Sequence, residues 1–282
     1  MFGIFRRKPL IKILTSNNYL QIDETLIDSV FVEQLYQLMN KSERTHREAG
    51  SVILIQNNRF RVYKRSTLGK ANVVDLERVF VRLSVDDIKY MVGIVHTHIR
   101  TRLKPASSHF PSPSDIVCGA VEGFILGRDK FINMVLHRLK LEDITIMPAY
   151  ECIETLYNMS PNVDKLRENI DDLYFYIRDE VKSLGEEYTR EEFFLDYHTD
   201  KYPSIVNLET VRSMEEKIHE TVMVCGEDIR NYMSEHKDYS DLWWEGVSKE
   251  LGVEFVILRF HSGEYEVLNK YEVYKYTEIF YG

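Results

Sequence analysis

The spacing of apolar residues changes near Tyr150, and that change constrains the fold more than any other feature of the chain. Before it, apolar residues come in short runs of strand length: SVILIQ, RFRVY, MVGIV, KFINMVL and ITIMPAY. After it, Leu166, Ile170, Leu173, Tyr174, Ile177, Val181 and Leu184 recur at helical intervals, as do Leu208, Val211, Met214, Ile218, Val222, Cys225, Ile229 and Met233. Strand chemistry returns in VEFVILRFHSGEYEVL, where His-Ser-Gly-Glu reads as a hairpin turn. A sheet and a set of helices must each bury an apolar face, so the chain reads as α+β, in the broad α/β class. The expected organisation is a sheet-forming domain over 1–150, three or four helices over 151–250, and C-terminal strands over 251–282 that return to the sheet.

Within the first part, LIKIL at 10–14 could form a short strand, and Leu26, Ile27, Val30, Phe31, Leu35, Leu38 and Met39 predict a helix from about Asp23 to Asn40. The polar KSERTHRE then closes it. Asn57-Asn58 reads as a tight turn between two strands, because Asn tolerates positive φ. Residues 72–83 are ambiguous between strand and helix, 99–114 must be loop, and Ser114 is a natural N-cap for a helix over Asp115 to Val121.

The chemistry concentrates between Gly93 and Asp115, in GIVHTHIRTRLKPASSHFPSPSD. His96 and His98, two apart at a strand end, point the same way because strands repeat every second residue. Side by side, two imidazoles can occupy neighbouring corners of a metal's coordination sphere. A catalytic zinc takes three protein ligands and keeps one position open, and Asp115, in the first turn of the next helix, is the candidate third. Ser112 and Ser114 compete for two roles, one donating to a developing oxyanion and the other capping the helix; spacing favours Ser112 as the donor. A general base is also needed, and Glu48 is the best upstream candidate, with Glu43 the alternative.

The remaining composition narrows the class. A net charge of −9 argues against a nucleic-acid partner, which would need a basic face. No apolar run reaches the roughly 18–20 residues of a membrane span, and MFGIFRRKPLIKIL lacks the uninterrupted apolar core of a secretory signal. Three cysteines, Cys118, Cys152 and Cys225, with no close pair suit neither a disulfide framework nor a thiolate zinc site. The expectation is a cytoplasmic protein with no membrane or nucleic-acid partner.

Three segments together resemble the JAMM, or MPN-plus/JAB, family of zinc metalloproteases. Glu48-Ala49-Gly50 before an apolar strand is similar to the family's first element, Gly93-Ile94-Val95-His96-Thr97-His98 to the second, and Ser112-Pro113-Ser114-Asp115 to the third. The resemblance covers residues 22–150 and implies a curved mixed β-sheet flanked by helices, the JAB/MPN or cytidine-deaminase-like fold, with the helical region added to it. It implies zinc held by His96, His98 and Asp115, a zinc-bound water as nucleophile, Glu48 as general acid/base and Ser112 on the tetrahedral intermediate. The implied reaction is hydrolysis of a peptide or isopeptide bond at the C-terminus of a ubiquitin-like or sulfur-carrier-like protein. The chain departs from the pattern in having Ile99 where the family has proline, and a longer connection, Ile99 to Pro111, before the serine. Arg100, Arg102 and Lys104 make that connection basic, which suits equally a solvated loop and a lip for an acidic or C-terminal substrate segment. The helices after 150 would then serve as a recognition element. A non-catalytic scaffold of the same family is the alternative, although such members typically lose metal ligands. A DNA-repair relative of the fold carries Pro-Ser-Gly after its second histidine, which this chain lacks.

Overall fold

The computed structural model describes residues 28–69, 74–98, 112–140, 144–235, 256–261 and 264–268. The expected strand at 10–14 and the basic connection 99–111 lie outside the described residues.

Helix α1 (Ser29–Thr45) opens on Asp28, whose carboxylate accepts from Phe31 N–H at 3.0 Å, and ends where His46 turns left-handed at φ 51. It therefore starts later and runs further than the periodicity predicts. KSERT forms its last turn because Ser42 and Thr45 hydrogen-bond locally, to Arg47 C=O at 2.8 Å and to Lys41 C=O at 2.9 Å. Strands β1 (Ala49–Gln56) and β2 (Arg59–Val62) follow as the expected hairpin, with Asn57 and Asn58 at φ 52 and 54. Then come β3 (Thr67–Leu68), the short helices α2 (Glu77–Phe80) and α3 (Val85–Lys89), and β4 (Met91–Thr97). The ambiguous stretch 72–83 thus contains one helical turn, among the described residues.

Helix α4 (Pro113–Ile125) crosses over to β5 (Ile132–Lys140), which pairs parallel to β4. Its N-cap is Ser112, not Ser114. Proline fits the first helical position, having no N–H to leave unpaired, and keeps the residue before it extended, here at φ −83 and ψ 164. Gly93 is required where the parallel strands meet, since a Cβ there would lie 2.3 Å from the Ile132 carbonyl oxygen.

Strand β6 (Ile144–Glu151) leads into α5 (Cys152–Met159), α6 (Val163–Ser183), α7 (Arg190–Thr199) and α8 (Leu208–Glu235), and the chain returns through β7 (Val256–His261) and β8 (Glu264–Leu268). His261 pairs with Glu264 in the antiparallel β7–β8 ladder, and the expected turn residues between them lie outside the described residues. The result is an eight-stranded mixed sheet in the order β2-β1-β4-β5-β6-β7-β8, with β3 also on β1. Among the described residues every pairing but β4–β5 is antiparallel.

Strand alternation divides the core between the two faces of this sheet. Ile53, Val95 and Met134 pack with Phe31, Leu35, Leu38 and Met39 of α1. Val52, Leu54 and Ile94 pack on the other face in one cluster that reaches through α4 to Leu166, Ile170, Phe194, Ile218 and Ile229. The helices after Glu151 therefore share the core of the sheet rather than enclosing one of their own. Among the described residues no helix is long and apolar enough to cross a membrane.

Glu151 joins the two layers. Its carboxylate caps α5 through Glu154 N–H and accepts from Phe131 N–H at 2.7 Å, while burial pushes the acid up to about 7. The folded chain thus holds this proton more tightly than the unfolded chain, whose acid has the ordinary value of 4.5. Stability from the protonated form is present below that value and is lost as pH rises toward about 7, by up to about 3 kcal/mol. Urea midpoints at about pH 5 and about pH 7.5 should therefore fall more for wild type than for Glu151→Gln. Parallel midpoints would mean that the folded carboxyl is already ionised throughout.

Candidate metal centre

His96 is the sixth residue of β4 and His98 follows it by one position, where His98 N–H donates to Leu136 C=O at 2.8 Å. That bond carries strand geometry past Thr97, so both imidazoles project from the same face as Ile94. α4 packs on that face, and its first turn brings in Asp115. His96 Nε2 and His98 Nε2 are 3.1 Å apart; Asp115 Oδ1 is 3.3 Å from the first, and Asp115 Oδ2 is 3.6 Å from the second.

Those separations test the fit of a metal. Two ligand atoms held about 2 Å from one tetrahedral centre lie roughly 3.3 Å apart. The three measured separations bracket that value, and the donor set of two imidazoles and a carboxylate is one that zinc accepts. His96, His98 and Asp115 could therefore hold a metal ion. They are also largely shielded, with side chains 6%, 14% and 20% exposed, so competing water is limited while one side stays accessible. Burial alone would push the Asp115 carboxyl up, but the imidazoles of His96 and His98 hold it well below the usual carboxylate range. It is thus kept as the anion that a metal needs.

A second layer fixes the carboxylate. Ser112 N–H donates to Asp115 Oδ2 at 2.5 Å, and Asp115 N–H donates back to Ser112 Oγ at 3.3 Å, a reciprocal capping box. Asn133 of β5 donates through Nδ2 to the Asp115 carbonyl at 3.2 Å, tying the start of α4 to the parallel strand. Ser112 Oγ also lies 2.7 Å from Ser114 Oγ.

Glu48 is buried, 4% exposed, at the entrance to β1. In the antiparallel β1–β4 ladder Gly50 is paired with His96. Two residues earlier, the same register sets Glu48 across from His98 and on the same face of the sheet, a spacing at which cross-strand side chains meet. Glu43 is not brought to the site, since it rides on α1, which packs on the opposite face.

Sequence reasoning missed three sets of polar residues around the centre. One is Asn133. A second is Thr97, which points away from the histidines and donates to Ser42 Oγ at 2.7 Å. The third is Glu122, two turns beyond Asp115 on α4, 2.8 Å from His198 Nε2 of α7. That imidazole lies between the rings of Phe80 and Phe194, with centroids 4.6 and 4.5 Å away. Only Ser112-Pro113-Ser114-Asp115 carried a local signal, the serine-x-x-acid pattern of a capping box. The other partners are distant in sequence.

No protein-family model and no curated protein matches the chain. Among solved structures, the ORF273 protein from the Acidianus two-tailed virus is similar at 14% identity and a TM-score of 0.30, over 86% of this chain and 98% of that one. A likeness at that score carries no argument about fold or function.

Proposed function

We propose that the chain is a zinc-dependent peptidase of the JAMM class with the JAB/MPN form of mixed sheet. Its reaction would be hydrolysis of a peptide or isopeptide bond at the C-terminus of a ubiquitin-like or sulfur-carrier-like protein. The observation that carries this reading is the mutual spacing of His96 Nε2, His98 Nε2 and the Asp115 carboxylate, at 3.1, 3.3 and 3.6 Å.

Zinc, when bound, would polarise the scissile carbonyl and make a water molecule acidic. Glu48, across the ladder from His98, would serve as the general base that accepts a proton from the attacking water and returns it to the departing amine, so that it would finish the cycle as it began. Ser112 Oγ already accepts from Asp115 N–H, which leaves its own hydrogen to donate, either to Ser114 Oγ or to the developing oxyanion. Ser112 N–H holds the Asp115 carboxylate toward the histidines, and the Asn133 amide anchors the Asp115 backbone carbonyl from which that side chain projects.

The direct test offers the zinc-loaded protein a set of ubiquitin-like and sulfur-carrier-like proteins bearing C-terminal peptide or isopeptide extensions. Cleavage at the carrier's C-terminus, abolished by a chelator and restored by zinc, is the expected result. Zinc bound without cleavage of any extension would leave a metal-binding scaffold instead.

A further inference from the structure

The two peptide groups that flank Glu48 are joined by a buried chain of hydroxyls. Ala49 N–H donates to Thr97 Oγ1 at 2.8 Å, Thr97 Oγ1 donates to Ser42 Oγ at 2.7 Å, and Ser42 Oγ donates to Arg47 C=O at 2.8 Å. The direction is forced, because the amide can only donate and the carbonyl can only accept. Ser42, Ala49 and Thr97 are each 0% exposed, so no water can substitute for a missing link. Thr97 stands between the two histidines in sequence, yet its hydroxyl works on the α1 side of the sheet, behind them.

We propose that the Thr97–Ser42 hydroxyl pair positions Glu48: it clamps the peptide groups on either side of that residue to the strand that bears His96 and His98. This rests on the metallopeptidase reading, in which Glu48 serves as the base. Thr97 touches neither metal nor substrate, and acts by setting the backbone from which Glu48 projects. The ligands themselves depend on other anchors, namely His98 N–H on Leu136, and Ser112 and Asn133 on Asp115. Cutting the relay should therefore disturb the base and spare the metal.

The test uses the full chain loaded with cobalt(II), whose visible bands report metal occupancy, and titrates it with acetohydroxamate. This ligand chelates the metal and hands its proton to a neighbouring base, so its affinity reports whether Glu48 is in place. Glu48→Gln should weaken acetohydroxamate about tenfold or more, and Thr97→Val by about the same factor, with cobalt affinity nearly unchanged in both. Thr97→Ser, which keeps the hydroxyl, should bind acetohydroxamate like wild type. Adding Thr97→Val to Glu48→Gln should cost nothing further, because both remove one interaction. Ser42→Ala breaks the same relay from its α1 end, and carries the test if Thr97→Val does not fold. Independent, multiplying losses in the double variant, or equal loss of cobalt and acetohydroxamate binding in Thr97→Val, would overturn the proposal and leave Thr97 a packing residue. Failure of wild type to bind cobalt would remove the metal reading first, and this inference with it.

Discussion

Replacing His96 and His98 together by alanine should empty the metal site: about one zinc per chain in wild type, almost none in the double variant. In the proposed site each imidazole would supply one of three protein ligands, and Asp115 alone would not compete with water for the ion. The substitution also acts on the carboxylate. Asp115 keeps its charge because the imidazoles lie 3.3 and 3.6 Å away; without them burial would push its carboxyl up and weaken the last ligand as well. The loss of zinc should accordingly exceed the sum expected from two independent contacts. Elemental analysis of protein purified without chelator and re-exposed to zinc provides the measurement, with circular dichroism to establish that the sheet persists. A wild-type chain that takes up no zinc under those conditions would sink the enzyme reading.

Glu48→Gln should separate binding from chemistry. The amide is nearly isosteric with the carboxylate and keeps an acceptor oxygen, so zinc content should match wild type. Proton transfer is what disappears, and removal of a positioned general base costs typically 10²–10⁴-fold in turnover. The fall should appear in kcat with KM little changed, because Glu48 acts only as the proton moves. Glu43→Gln provides the contrast and should be nearly silent, since α1 keeps that side chain on the far face of the sheet. Full turnover in Glu48→Gln would place the base elsewhere.

What could be read in the amino-acid sequence followed from local periodicity. The Asn57-Asn58 turn, β4 running up to His-Thr-His and the helices after Glu151 were legible because each depends on a few neighbouring residues. So was the likeness of His96, His98 and Asp115 to a ligand set, since strand pleating and a helix start fix their directions. The cap of α4 was misassigned because two serines flank Pro113, and proline's place at the first helical position decides between them. Leu184 and Leu208, read as part of the apolar faces, are 58% and 57% exposed, each standing at a helix end that no described residue covers. The partners of Thr97, Asn133 and Glu122 could not be read at all. Ser42, Asp115 and His198 meet them only through pairing of strands and helices far apart in the chain.

The three candidate ligands are not mounted alike. Two are fixed to a strand in the middle of a sheet, while the third stands at one end of α4, whose opposite half is pinned by the Glu122–His198 pair about 10 Å further along the axis. The carboxylate and the two imidazoles thus ride on different elements, and it is the helix bearing the carboxylate that α7 grips through His198.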